Sequence, residues 1–465
     1  MSAPLEKLLR DARIDLILSR IEKDESIIDE LIGFLDSDSR SVKFNSIHVL
    51  GLVGQKSVDG IPKVINCLED EDWSICREAT RTLGNIGEIA KDAVSKLSLL
   101  LKDNEVTIRK EAATALGKIK NPTSESISSL INALGDKDEE VRTEVAKTLG
   151  EIGSDAYEAI PHLMNSLKDI SWTVRTASAQ AISQIGKGSI KAIPNLLNAL
   201  GDPDWRVRFR VANTLAEIGE PAIPHLMEIL NSKKVILKEE AVETLGEMKI
   251  SNQNDIDKIS SLLFDRHESV RGKAANALRS IGIDAVTALM KAYEKSNSKM
   301  KKIILSALGG IGSEAIDALP MIINALKHPQ QEIEYIPSFS NKLKRAFSSS
   351  GSIRVEAARA LGRIGVDSEE ALHALEAALN DPKSIVRREA ALSIGKLGLI
   401  AEKAIPSLLK ALKDENRDVR WRASEALGII GVNTDEVTSN LKNLVHDKCD
   451  YVCESAILAL DNLVK

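Results

Sequence analysis

The strongest constraint on this chain is an internal repeat. The block LKDISWTVRTASAQAISQIG (167–186) returns as LGDPDWRVRFRVANTLAEIG (200–219), LGDKDEEVRTEVAKTLGEIG (134–153) and LKDENRDVRWRASEALGIIG (412–431). Aligning on the apolar residue that precedes the basic one gives thirteen anchors: Val42, Ile75, Ile108, Val141, Val174, Val207, Leu237, Val270, Met300, Ile353, Val386, Val419 and Val452. Successive anchors lie 33 residues apart, except for two steps of 30 and one of 53. A period of that length signals stacked supersecondary pieces, each too small to bury its own apolar faces.

Each block reads as two helices. In the first, apolar residues recur at i, i+3, i+4 and i+7, as in Ile193, Leu196, Leu197 and Leu200, the stripe of an amphipathic helix. Pro62, Pro161, Pro194, Pro224, Pro320 and Pro406 stand near its start, where the missing N–H costs least. Ser, Thr or Asp precedes the anchor in seven copies (Ser41, Ser74, Thr107, Thr173, Ser269, Ser352 and Asp418), which predicts an N-cap there. Gly closes ten blocks, among them Gly54, Gly153, Gly219, Gly365 and Gly431, and predicts a left-handed C-terminal residue. Ala recurs four, five and seven residues past the anchor, so neighbouring second helices can approach closely. The expectation is one cooperative array with the second helices along one face.

Composition narrows the class. Six Phe, four Trp and four Tyr in 465 residues cannot fill a sandwich or barrel core, so Leu, Ile, Val and Ala must do the burying. No run approaches 18 apolar residues, and a membrane-spanning helix is not expected. The start, MSAPLEKLLRDARIDLILSRIEKDE, lacks the apolar centre of a signal peptide. Four Cys (67, 76, 449 and 453) suit a reducing compartment, and the expected location is cytoplasmic. The formal net charge of −6 offers no global pull toward polyanions.

The block D-x-x-x-x-(V/I)-R-x-x-A-x-x-A-L-G-x-I-G resembles the HEAT repeats of the phycobilin-lyase type over about residues 26–463. The resemblance implies an all-α fold: an α-solenoid, a right-handed superhelix of about thirteen helix hairpins. Residues 1–25 would form an N-terminal capping helix and 26–465 the array, with an insertion at about 331–350 within repeat 10. It also implies a hydrogen-bonded ladder between a turn Asp and the Arg six residues on. Asp stands five before the anchor in nine copies (Asp70, Asp103, Asp136, Asp169, Asp202, Asp265, Asp381, Asp414 and Asp447), and a basic residue follows the anchor in eleven. Cys76 and Cys453 take the basic slot in repeats 2 and 13, as small fillers. That ladder accounts for the Arg column better than a phosphate-binding stripe does.

Such repeats occur in pigment-lyase subunits, deoxyhypusine hydroxylase, DNA glycosylases of a HEAT-like class and many scaffolds, so fold and function separate. The hydroxylase places several His-Glu dyads to hold two irons; this chain has one, His267-Glu268. Cys449 and Cys453 have only His446 nearby, short of the ligands a zinc site needs. No Gly-rich phosphate loop or nucleophile elbow is present. No catalytic, cofactor or metal residue is assigned, and no enzyme activity is expected.

Departures from the repeat are the candidate binding residues. Trp73, Trp172 and Trp205 share one register, two residues before the anchor, which suggests a common packing role. Three past the anchor, Glu is the commonest residue, yet Arg210, Lys273 and Arg422 replace it in repeats 6, 8 and 12. Around them lie WRVRFR (205–210), with Trp205, Arg206 and Phe209, and VRWR (419–422), with Trp421. The insertion adds Tyr335, Phe339, Lys342, Lys344, Arg345 and Phe347. The expected function is a non-enzymatic scaffold that binds a macromolecular partner, a protein, along the concave second-helix face and through the insertion. Nucleic-acid binding is the first alternative, since basic residues interleaved with aromatics can stack bases. A lyase or chaperone-like subunit resembling phycobilin lyases is the second.

Overall fold

The computed structural model describes residues 4–327 and 352–464. Among them there is no strand, and helices follow one another in hairpin pairs. The protein is an all-α solenoid. Its contacts divide it into two compact units, Met1–Glu228 and Ile229–Lys465. The boundary coincides with the first 30-residue step, and Ser232 stands there at the position that is Asp in nine other repeats.

In the first unit two short helices, Leu5–Arg10 and Ile14–Ile21, bury Leu5, Leu8, Leu9, Ile17 and Ile21. The second helices that follow are Arg40–Val53, Trp73–Ile86, Val106–Ile119, Glu139–Ile152, Trp172–Ile185 and Trp205–Ile218. Each packs on the next. In the second unit the series is Val235–Glu247, Glu268–Ile281, Ser298–Ile311, Ile353–Ile364, Ser384–Ile394, Arg417–Ile430 and Asp450–Val464, again packed in succession. The anchors Val42, Val141, Val174, Val207, Val270, Val386, Val419 and Val452 are fully buried. At about 25 cal/mol per Å² of apolar surface, this column and the Leu residues beside it carry the core.

Close approach of the second helices depends on a glycine nine residues past the anchor. It stands in nine repeats, from Gly51 to Gly428, and its missing side chain faces the next second helix. A Cβ on Gly84 would lie 2.9 Å from Ala115 Cα, and one on Gly246 2.6 Å from Ala277 Cα. Ala at anchor +7 is thus one half of a small-on-small contact.

Two local expectations change. Most second helices start one residue before the predicted caps, so the N-cap lies two residues earlier than predicted, three before the anchor: Asp72, Asp138, Asp204 and Asn416 accept backbone N–H groups there. Of the seven predicted caps only Ser352 caps, and Ser74 lies inside its helix. The chain leaves the turn in extended conformation sooner than the Ser/Thr pattern suggested. Second, nine of the ten closing glycines have positive φ, but Gly365 has φ −86 and Asp367 takes the left-handed position instead, at φ 58. Most are not helical mirror images either: Gly87 has φ 79 and ψ −145, a region open to glycine alone. From it the chain drops into a 3-10 turn, Gly87–Ala93, that leads to the next first helix.

Lys120 occupies this closing position in repeat 3, at φ 49 and ψ 35. A left-handed lysine is strained by roughly 1–2 kcal/mol. Lys120→Gly is therefore expected to raise stability by about 0.5 kcal/mol after the extra chain entropy of glycine is counted, and thermal melting checks it; a lower melting temperature contradicts the assignment.

By length and apolarity alone Ser298–Lys327 passes for a membrane-crossing helix. It is not one straight helix. Ser298–Ile311 stops at Gly312 (φ 82), the backbone leaves helical geometry at Ala315, and Leu319–Lys327 follows. Met300, Ile304, Leu305, Leu308, Ile322 and Leu326 are buried within the second unit.

Candidate functional site

The Arg column is consumed by structure, in a way that joins repeats. Arg142 Nη1 donates to the carbonyl of Asp136, six residues back, at 2.8 Å. Its Nε and Nη2 donate to both carboxylate oxygens of Asp169, 27 residues on, at 2.8 and 2.9 Å. Asp169 also accepts the Ser171 N–H. The same bidentate rung recurs for Arg109–Asp136, Arg175–Asp202, Arg387–Asp414 and Arg420–Asp447. Lys43 and Lys238 make one-point versions with Asp70 and Asp265, and Arg354 lies 3.3 Å from Asp381. Each Asp thus fixes its own turn and accepts the preceding repeat. Where thiols replace the base they take over a carbonyl bond: Cys453 Sγ donates to the Asp447 carbonyl and Cys76 Sγ to that of Leu68. Burial pushes the Cys76 thiol up to about 11, so it is not a nucleophile.

A second ladder runs beside the first, linking the residue six past one anchor to the residue three past the next, 30 positions on. His48 Nδ1 and Glu78 Oε1 are 2.7 Å apart, Arg81 and Glu111 3.7 Å, and Arg359 and Glu389 3.0 Å. Thr114 Oγ1 donates to Glu144 at 2.9 Å. Four of the six Glu are therefore paired across repeats, beyond any help from the helix dipole, and Glu356 pairs with Arg359 in its own helix. Lys273 belongs to this ladder with its charges exchanged, since its partner is Glu243. It is not a free basic departure.

Arg422 is also occupied. It pairs with Glu425 in its own helix and lies 3.7 Å over the Trp421 ring, whose other contact is an edge-on packing with Tyr451 at 5.4 Å. The WRVRFR segment differs. Trp205 is 65% exposed and Phe209, one turn on, 55%. Arg206 chelates the Asp204 carboxylate at 3.0 and 2.7 Å and lies 3.5 Å over Trp172 of the preceding repeat. Ile170 next to them is 94% exposed. Trp73, with Arg77 over its ring at 5.2 Å, is about half exposed. All three Trp stand at the first position of their helices, where Trp73 and Trp172 pack under an arginine and Trp205 is the most exposed. Tyr335, Phe339, Lys342, Lys344, Arg345 and Phe347 fall outside the described residues.

Ile170 was missed from sequence. Its signal is that four before the anchor the other repeats carry polar residues or Pro. A pocket of 380 Å³ beside it is lined by Asp169, Arg175, Asn198 and Asp202, but its charges already serve the ladder. Among the described residues, no three His, Cys, Asp or Glu side chains are grouped to hold a metal ion.

The hairpin pairs, the small-residue contacts and the Asp–Arg rungs meet their counterpart in a family comparison. The HEAT-repeat family model matches residues 28–109, 94–183, 160–246, 336–409 and 394–461. The chain belongs to the HEAT-repeat family. No curated protein matches this HEAT-repeat protein. Solved structures that resemble it include an engineered protein, 19% identical over 94% of this chain and 99% of that one, with a TM-score of 0.34. Kap95p, solved with RanGDP, is 11% identical over 99% of this chain and 74% of its own, with a TM-score of 0.48. The karyopherin Kap121p, bound to the extreme C-terminus of the protein phosphatase Cdc14p, is 14% identical over 95% and 64%, with a TM-score of 0.41. At such scores none of the three bears on what this HEAT-repeat protein does.

Proposed function

We propose that this HEAT-repeat protein is a non-enzymatic scaffold that holds a protein partner on the second-helix side of repeats 5 and 6. One observation carries the reading: the recurrent charges are spent on two inter-repeat ladders, while Trp172, Trp205, Arg206 and Phe209 form an exposed aromatic–guanidinium patch. Exposed Trp and Arg side chains grouped in this way are typical binding anchors. Four unpaired cysteines support a cytoplasmic setting. The nucleic-acid alternative loses two of its three departing cations, since Lys273 and Arg422 have carboxylate partners. The narrower resemblance to phycobilin-lyase repeats rests on the Asp and Arg positions that the ladder already explains.

Affinity capture on the full chain, with the Trp205→Ala/Phe209→Ala variant beside it, tests the reading. At least a tenfold loss of a captured partner is expected, with thermal stability changed by no more than about 0.5 kcal/mol because both side chains are exposed. Identical capture by both proteins contradicts it.

A further inference from the structure

Among the arginines of the first unit, Arg210 has an unusual position. Arg109, Arg142 and Arg175 each grip an aspartate, and Arg206 chelates Asp204. Arg77 and Arg210 each have a buried Nε without an acceptor, but Arg77 lies over the Trp73 ring, whereas Arg210 has neither a ring nor a carboxylate against it among the described residues. The cause lies in the second ladder. In repeats 2 to 4 the position three past the anchor is Glu78, Glu111 or Glu144, each met by a side chain 30 residues earlier. At Arg210 the charge is reversed, and the residue 30 positions earlier is Gln180, which brings no negative charge. A buried guanidinium N–H lacking an acceptor is costly, and the charge it carries has no counter-charge beside it among the described residues. Directly beside it in sequence is Phe209, and one turn before that is Trp205, both exposed.

We propose that this patch takes an acidic peptide. An Asp or Glu carboxylate of the peptide pairs with the Arg210 guanidinium, and an adjacent aromatic or long aliphatic side chain lies on Trp205 and Phe209. This rests on the scaffold reading and gives its partner a chemistry. Charge complementarity selects the occupant: the missing group at Arg210 is one carboxylate, and planar bidentate pairing is what a guanidinium does best. A single strand of nucleic acid can also stack on aromatics, but its phosphates extend beyond one cation. Along the same series of helix starts they meet the exposed Glu139 and Glu140 of repeat 4. Arg206 is already neutralised by Asp204.

The test is selection of a random displayed peptide library on the immobilised full chain, with Trp205→Ala as counter-target, followed by fluorescence anisotropy of the selected peptide. Enrichment of Asp or Glu next to Trp, Phe, Tyr or Leu is expected. Arg210→Ala and Trp205→Ala should each weaken the selected peptide about tenfold or more, and Arg210→Lys should restore only part of the loss. Trp205 is exposed, so its variant keeps the test valid if the partly buried Arg210 does not tolerate change; circular dichroism checks both. Enrichment of basic or uncharged peptides, or no enrichment over Trp205→Ala, overturns the proposal. So does oligothymidylate that binds more tightly than the peptide and is lost in Arg210→Ala. If the peptide arm fails while Trp205→Ala/Phe209→Ala still loses its captured partner, the scaffold reading stands and the acidic peptide falls. If capture is also unchanged, both fall.

Discussion

Arg142→Ala is expected to destabilise the first unit by about 3 kcal/mol, the low end of the range for breaking a buried ion pair because both side chains keep slight solvent contact. The substitution removes three hydrogen bonds at once. Asp169 keeps the Ser171 N–H but loses its counter-charge, and the Asp136 carbonyl loses its donor. Chemical denaturation of the full chain reads the loss, and Arg142→Lys should recover part of it, since Lys43 and Lys238 already serve as one-point rungs in repeats 1 and 7. A cost below about 1 kcal/mol, the range of exposed pairs, would show that the rung adds no more than a surface contact. The ladder also sets the acid limit. Arg420 holds the Asp447 carboxyl below the usual carboxylate range. Burial would raise Asp265, but the His267 N–H and Lys238 outweigh it and hold it at about 2. Both are depressed in the folded chain, so their stabilisation is complete above the ordinary carboxylate value of about 4. It is lost as pH falls from there toward the folded values.

Gly246→Leu is expected to cost about 3 kcal/mol in the second unit. Ala277 Cα and Cβ would lie 2.6 and 2.8 Å from the first added carbon, and both belong to a helix that cannot swing aside as a flexible side chain would. Overpacking of this kind costs about 1–3 kcal/mol, and a whole isobutyl group puts the effect at the upper end. The better helix propensity of Leu returns less than about 1 kcal/mol. Thermal melting measures the result. An unchanged transition would show that the helices can separate there without loss. The same change at Gly33, where a Cβ meets nothing within 4 Å, is the control.

The fold was legible because the 33-residue period repeats the packing instruction itself: Val or Ile to bury, Ala and Gly to let helices touch, Asp and Arg to join turns. The direction of the Asp–Arg rung was only half legible. The six-residue spacing within one block marks the carbonyl bond, whereas the carboxylate comes from the next block. The second ladder was not legible, because its members change chemistry from rung to rung: His48 with Glu78, Thr114 with Glu144, Glu243 with Lys273. Without it, Lys273 looked like a departure and the isolation of Arg210 could not be seen. The cap positions failed for a simpler reason. Ser and Thr before the anchor satisfied a capping rule, but Asp and Asn two residues earlier satisfied it first.

A rung built from Arg of one repeat and Asp of its successor has a consequence for chain length. Cutting between Arg109 and Asp136, or between Arg142 and Asp169, and rejoining 33 residues later brings together an arginine and an aspartate that already fit, as Arg109, Arg142 and Arg175 make the same bond. Such a molecule can be lengthened or shortened by whole periods without inventing a new side chain, whereas a gain or loss of any other size breaks the bond at the seam.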